Sequence, residues 1–208
     1  MDITYNKVNN SELFKTFENK DLMNIEYCQN YIPIYNNFFK LTDNNFNSIN
    51  LNNKNILQKL TDKLSENKYK GEVLIENTTN DNINIFFKFS PLLDPFKYLA
   101  GKYDINNETL FSLPKLNSTK SHDKLLDANN SAYVDSFFTY LTSQLLNCKD
   151  FPHGLDFFGS YLGIKNNYHI DIGEDIDMLS NSDFFFQHKE LYEFINSEHE
   201  DIFNEQSR

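Results

Sequence analysis

Tryptophan is absent from this 208-residue chain, arginine occurs once, at Arg208, and glycine only six times. Without tryptophan the interior has to be built from phenyl rings with Ile and Leu, and 20 Phe and 12 Tyr are available for it. Scarce Gly and Ala beside abundant Asn, Ile, Phe, Tyr and Lys is the signature of A/T-rich codons, so clusters of Asn read as surface filler before chemistry. Only two cysteines occur, Cys28 and Cys148. Neither has Cys or His neighbours at ligand spacing, which points to free thiols in a reducing compartment. No run approaches the roughly 18 apolar residues needed to cross a bilayer. The amino terminus (MDITYNKVNN) lacks the basic segment and apolar stretch of a signal peptide. The expectation is a soluble, intracellular protein that is not secreted, in which the Asn-x-Thr triplets at Asn77, Asn107 and Asn117 are chance matches.

Positive charge is also in short supply. With 19 basic against 30 acidic residues the formal net charge is −11, which argues against double-stranded nucleic acid as a partner, because its phosphates would be repelled. The nearest approach to a basic stripe is Lys54, Lys59, Lys63, Lys68 and Lys70. Asp62 and Glu66 interrupt it, and it reads as a solvated helix face.

What is present supports a folded domain. The hydrophobic content is 39% and the aromatic content 15%, and a domain of this length buries roughly 70% of the surface its unfolded chain exposes. Residues 11–18 read as a short helix in a polar stretch, and residues 27–41 as aromatic and extended, since Pro33 opposes a helix interior. Asn53 is placed to cap a helix over 55–65 with Ile56, Leu57, Leu60 and Leu64 on one face. Residues 72–77 and 83–90 alternate like strands on either side of the turn-rich TTNDN, a hairpin pattern. Residues 94–103 read as a helix with Pro95 in its first turn and Gly101 at its end. A longer helix over 131–146 sets Val134, Phe137, Phe138, Leu141 and Leu145 on one face, and Pro152 forbids its continuation. Residues 155–164 and 168–172 read as strands paired across Lys165-Asn166-Asn167. Residues 183–203 read as a helix that becomes increasingly acidic.

Lys88 is the sharpest chemical candidate. Strand alternation puts Phe86, Lys88 and Ser90 on one face and Ile85, Phe87 and Phe89 on the other. A half-exposed strand position accounts for such a lysine without any function, because an unpaired buried ammonium is costly. A functional role would be a cation reaching the α- and β-phosphates of ATP, held by a carboxylate from the helix that follows. Asp135 is the acid inside that helix, although a carboxylate near a helix start is favoured by the dipole alone.

Other patterns fail on chemistry. Asp127, Asn129, Ser131, Tyr133 and Asp135 mimic the start of an EF-hand loop. However, Ala132 stands where glycine is required and Phe138 where a bidentate Glu is required. In Gly159-Ser160-Tyr161-Leu162-Gly163 the serine is one place too early for a nucleophile elbow. His122, His153, His169, His188 and His199 are too scattered for a metal site, and Glu174, Asp175 and Asp177 read as a solvated acidic loop.

The blocks FFKFSPLLDPFKYLAGKY and AYVDSFFTYLTSQLL…FPHGLDFFGSYLGIK, with YIPIYNNFF and INLNNK upstream, resemble the amino-terminal part of serine/threonine protein kinase-like proteins of giant DNA viruses (nucleocytoplasmic large DNA viruses). The likeness spans most of residues 25–195. It implies an α+β fold, with a small, mainly antiparallel sheet and one principal packed helix, like a kinase small lobe, plus peripheral helices. The expected layout is an extension over 1–24, the small-lobe-like domain over 25–180 with a surface insertion at 104–130, and an acidic helix or spacer over 181–208. The resemblance further implies ATP as the cofactor, bound by Lys88 and Asp135, with no metal held by this chain. It implies residence in the host cytoplasm or virion and, as partner, a polypeptide bearing the large lobe or another viral protein. Neither nucleic acid nor membrane is expected. The family's catalytic-loop His-x-Asp-x-x-x-x-Asn and its Asp-Phe-Gly are not found. Asp156-Phe157-Phe158-Gly159 is a near miss, and Gly71 is the only glycine among the first 100 residues, so no glycine-rich loop covers a phosphate. Two readings follow: a truncated or split viral serine/threonine protein kinase-like protein that retains the small lobe only and is not catalytic alone, or a viral scaffold module that docks another protein without nucleotide. An aromatic-rich virion protein is a third.

Overall fold

The computed structural model describes residues 3–51, 55–149, 151–173 and 176–195. The chain divides into two compact units, Met1–Leu92 with Phe111–Tyr168, and Leu93–Leu110 with His169–Arg208. The architecture is α+β, with small antiparallel sheets and a few helices.

In the first unit the strands are β1 (Asn6–Lys7), β2 (Ile25–Gln29), β3 (Ile49–Asn50), β4 (Asn55–Lys63), β5 (Lys68–Ile75), β6 (Thr78–Phe86) and β7 (Leu162–Lys165). Where one small sheet was expected, they form three: β1 with β3, β2 with β7, and a meander β4-β5-β6. Helix α1 (Ser11–Glu18) lies where the sequence places it, with Leu13 and Phe17 buried one turn apart. It packs on the meander, sharing a core with Leu57, Leu60, Tyr69, Val73 and Ile85. The Thr16 hydroxyl accepts the Leu60 N–H at 3.2 Å, tying helix to strand. A second core gathers Ile32, Ile34, Tyr35, Ile49, Leu51, Phe157 and Leu162 around a later helix. Pro33 stands at the start of a 3₁₀ turn, Pro33–Asn37, rather than in an extended run.

Residues 55–65 are the main departure from expectation, since β4 occupies the span read as a helix. The physical reason is a pair of β-bulges. Leu57 pairs with Val73 but Lys59 with Glu72, so two residues on β4 oppose one on β5, and the same happens between Leu60 and Asp62. Each bulge shifts the alternation by one residue. Leu57 and Leu60 therefore both face the core, and a three-residue apolar spacing arises in a strand. The β5–β6 hairpin exists, but its turn is Glu76-Asn77, with φ of 47° and 67°, the signature of a two-residue primed turn. TTNDN lies within β6, where Asn82 (φ 57°) marks a bulge.

The long helix is present as the fourth in chain order, after α2 (Pro95–Leu99) and α3 (Asp123–Leu126), and α4 runs Ser131–Lys149. Its buried face is Tyr133, Phe137, Tyr140 and Ser143, not the row of Val134, Phe138 and Leu145, which is exposed. Residues 155–161 and 168–172 are not strands; β7 pairs with β2, in register Ile25 with Lys165. The span 104–130 is more than surface, since Leu110, Ser121 and Leu125 are buried.

In the second unit Asp94 caps α2, its carboxylate accepting the N–H groups of Phe96 and Lys97. Gly101 ends that segment at φ 70°, where a Cβ would meet the Phe184 ring. Helices α5 (Ile176–Ser180) and α6 (Asp183–Gln187) supply Leu179 and Phe185 to a core with Ala100. The expected helix over 183–203 is thus short, followed by a 3₁₀ turn, Lys189–Leu191; its part beyond 195 lies outside the described residues. So do Glu174 and Asp175 of the acidic loop.

Two expected outcomes follow from this packing. Gly71 faces the β4 bulge, and a Cβ there would come within 2.6 Å of the Lys59 carbonyl oxygen and 2.8 Å of Ile85 Cδ1. Gly71→Ala should therefore cost about 1–3 kcal/mol, read as a lower urea midpoint. Burial also raises the hydroxyl pKa values of Tyr35, Tyr133 and Tyr161 above the ordinary phenol value, and pushes Tyr69 up to about 12. The unfolded chain ionises these phenols near pH 10 while the folded chain resists. Stability present below about pH 10 should be lost as pH rises from there toward 12 and beyond, measured as a falling midpoint in alkaline urea titrations.

Candidate functional site

The site is assembled from the segment just after β6 and the start of α4. Inward–outward alternation continues past the end of the strand, with Phe87 and Phe89 partly buried while Phe86, Lys88 and Ser90 face outward. Asn67, in the β4–β5 turn, holds this segment in place. Its carbonyl accepts the Phe87 N–H at 2.8 Å and its side-chain amide donates to the Phe87 carbonyl at 2.8 Å. Asn130 fixes the other side. Its Oδ1 accepts the Ala132 N–H at the start of α4, and its Nδ2 donates to the carbonyls of Leu92 and Lys124. One asparagine thus joins the chain beyond Lys88 to the beginning of the helix.

Between these anchors, Lys88 Nζ donates to Asp135 Oδ2 at 2.7 Å. The two residues singled out from the sequence are brought together by the fold. The pair is open to solvent, with the side chains 64% and 47% exposed, so its Coulomb term acts in high dielectric and is screened by salt. Asn67 and Asn130 escaped the sequence reading. An asparagine immediately before a helix is the signal that could have found Asn130; Asn67 carried none, because asparagine is everywhere in this chain.

Other candidates have structural roles. Asp156 accepts from the side-chain amides of Asn55 and Asn147 and from the Phe157 N–H, and Phe157 is buried. Asp156-Phe157-Phe158-Gly159 is therefore a packed junction. His122 caps α3 through Nδ1, and His188 stacks on Phe184 with ring centroids 3.9 Å apart. Among the described residues no group of three or more His, Cys, Asp or Glu is placed to hold a metal ion. Lys165 is a more enclosed cation. It donates to the Met23 carbonyl at 2.9 Å, lies 5.3 Å above the centre of the Phe89 ring, and has its pKa lowered by burial. A shallow groove lined by Leu64, Lys68, Asn84, Ile85 and Phe86 runs over the open end of the meander. Among the described residues no helix is long and apolar enough to cross a membrane.

Comparison with family models, curated proteins and solved structures finds no match to this chain. The functional reading consequently rests on geometry.

The ion pair has a direct check. A double-mutant cycle on Lys88→Ala and Asp135→Ala should return a coupling of about 0.2–1 kcal/mol at low salt, shrinking as salt is added. Strict additivity of the two substitutions would mean that no such pair persists in solution.

Proposed function

We propose that this chain is a protein kinase small-lobe-like module that contacts ATP phosphates through Lys88, oriented by Asp135, and does not transfer phosphate by itself. The observation that carries the reading is the 2.7 Å bond from Lys88 to Asp135. A kinase small lobe holds its phosphate-binding lysine on a strand with a carboxylate from a later helix; Lys88 follows the end of β6 by two residues and its carboxylate comes from α4, which supports the reading. With phosphate present, Asp135 restrains the ammonium while two of its three donors remain available to ligand oxygens. Residues 1–208 carry no catalytic-loop His-x-Asp-x-x-x-x-Asn and no Asp-Phe-Gly to hold a metal-bound nucleotide, so catalysis is assigned to a large lobe outside these residues.

A second reading, a docking module that keeps the architecture and binds no nucleotide, is favoured by one specific observation. The turns of the meander, Glu76-Asn77 and the segment containing Glu66, are glycine-free and carry carboxylates. Such turns would repel a triphosphate where a kinase cradles it.

One experiment separates the two. The full chain is heated with and without Mg-ATP, and phosphate transfer to a generic protein substrate is assayed in parallel. On the first reading no transfer occurs, while saturating ATP at about 100 times Kd raises Tm by about 5 °C or more and Lys88→Ala abolishes the rise. Absence of any ATP-dependent shift selects the docking reading, and transfer by the chain alone would overturn both.

A further inference from the structure

Strand β6 is an edge of the β4-β5-β6 meander, and among the described residues it pairs only with β5. The Phe87 N–H donates to the carbonyl of Asn67, just before β5, which fixes the phase of the antiparallel ladder. Bonded and non-bonded positions alternate along such a strand. Ile83 and Ile85 therefore bond to β5, while Asn84 and Phe86 turn their N–H and C=O groups away from it. An open edge of this kind is a template for another strand unless charge, proline or a bulge blunts it. Near the hairpin turn β6 is blunted, by Asp81 and by the bulge at Asn82 (φ 57°). From Ile83 to Phe86 it carries none of the three. Beside that stretch lies the shallow groove of Leu64, Lys68, Asn84, Ile85 and Phe86, in which Leu64 is 51% and Phe86 66% exposed.

Side chains beside the edge decide which strand fits. Register places Lys68 opposite Phe86 and Lys70 opposite Asn84, on the face away from the buried Tyr69 and Gly71. Lys70 has Asp62 across from it on β4, and Glu66 in the adjoining turn is bonded to Lys63. Lys68 lines the groove and makes no ion pair among the described residues. A strand added to β6 sets one residue beside Phe86 and another, two positions away, beside Asn84, with both side chains on this face. The first covers the Phe86 ring and Leu64 and is apolar. The second lies diagonally from Lys68, within reach of its long side chain, and is acidic. The geometry points to β6 as a docking edge for an extended peptide of a partner protein that carries an apolar residue and a carboxylate two positions apart. A second copy of this edge does not fit that description. Two residues from Phe86 it offers Asn84 and Lys88, not a carboxylate, and each copy carries a net charge of −11 that repels the other. The docking needs no nucleotide and stands apart from the reading of Lys88.

The probe is a fluorescein-labelled peptide, Thr-Glu-Thr-Val-Thr-Glu-Thr. Its central valine has a glutamate two positions away on either side, so either strand direction satisfies the groove. Fluorescence anisotropy with the full chain should show saturable binding at micromolar concentration, weakening as salt is added. Lysine in place of both glutamates, or Lys68→Glu in the chain, should weaken binding by about 10-fold, and combining the two changes should restore it. The exposed Lys68 side chain has no packing role, so circular dichroism and Tm should stay unchanged in Lys68→Glu. N-methylation of the valine removes the N–H that meets β6 and should cost about 5- to 10-fold. N-methylation of a neighbouring threonine, whose N–H faces solvent, should be tolerated. Absence of binding at millimolar peptide would overturn the docking edge, and equal binding of the glutamate and lysine peptides would overturn the acidic partner. Indifference to which N–H is methylated would overturn strand addition. A monomer–dimer equilibrium in sedimentation that the peptide dissolves would give the edge to a second copy and overturn the partner assignment.

Discussion

Phe87 is held in a nest of rings. Phe17 of α1 and Tyr69 of β5 meet it edge-on with centroids 5.7 and 5.5 Å away, and Phe89 lies alongside at 6.3 Å. Phe17 in turn contacts Tyr161, just before β7, at 5.3 Å. These edge-to-face contacts couple the helix before the meander, the meander and the chain ahead of the last strand, each adding about 0.5–1.5 kcal/mol beyond area burial. In a protein without tryptophan they supply the large apolar bodies of the core. Because Phe87 and Phe89 must point inward, Lys88 between them has to emerge on the opposite side, toward Asp135.

The candidate site is therefore a by-product of core packing that could be put to use. Its ion pair is exposed and adds little to stability, so the fold does not need it. What it provides is placement: a cation fixed by Asn67 on one flank and by Asn130 and α4 on the other. An ammonium held in this way is available to an anionic ligand at small entropic cost, since its backbone is already ordered. The same helix turns Asp135 toward Lys88 and leaves Val134, Phe138 and Leu145 exposed.

Several of these features were legible in the sequence because they are local. The 11–18 helix, the Asp94-Pro95 start and Gly101 end of α2, and the alternation around Lys88 all follow from backbone preferences and period. The pairing of Lys88 with Asp135 was legible as well, since the lysine faces outward and the helix carries a single acid. The 55–65 strand was not. A bulge between Leu57 and Lys59 gave Leu57 and Leu60 the spacing of a helix, and nothing in those residues announces a bulge whose partner, Glu72, lies on another strand. The strand read over 155–164 survives only from Leu162, as β7, and was given the wrong mate, because Lys165-Asn166-Asn167 suggested a local hairpin while the partner is Ile25–Gln29.

Sequence alone decided the 11–18 helix, the Asp94-Pro95 start and Gly101 end of α2, and the alternation around Lys88, for these depend on φ preferences and on the few residues beside each position. Tertiary structure alone decided which face of α4 is buried. Apolar residues line both sides of that helix, and the choice fell to Tyr133, Phe137 and Tyr140 because residues far away in the chain, among them Ile32, Tyr35 and Phe157, form a core that their rings complete.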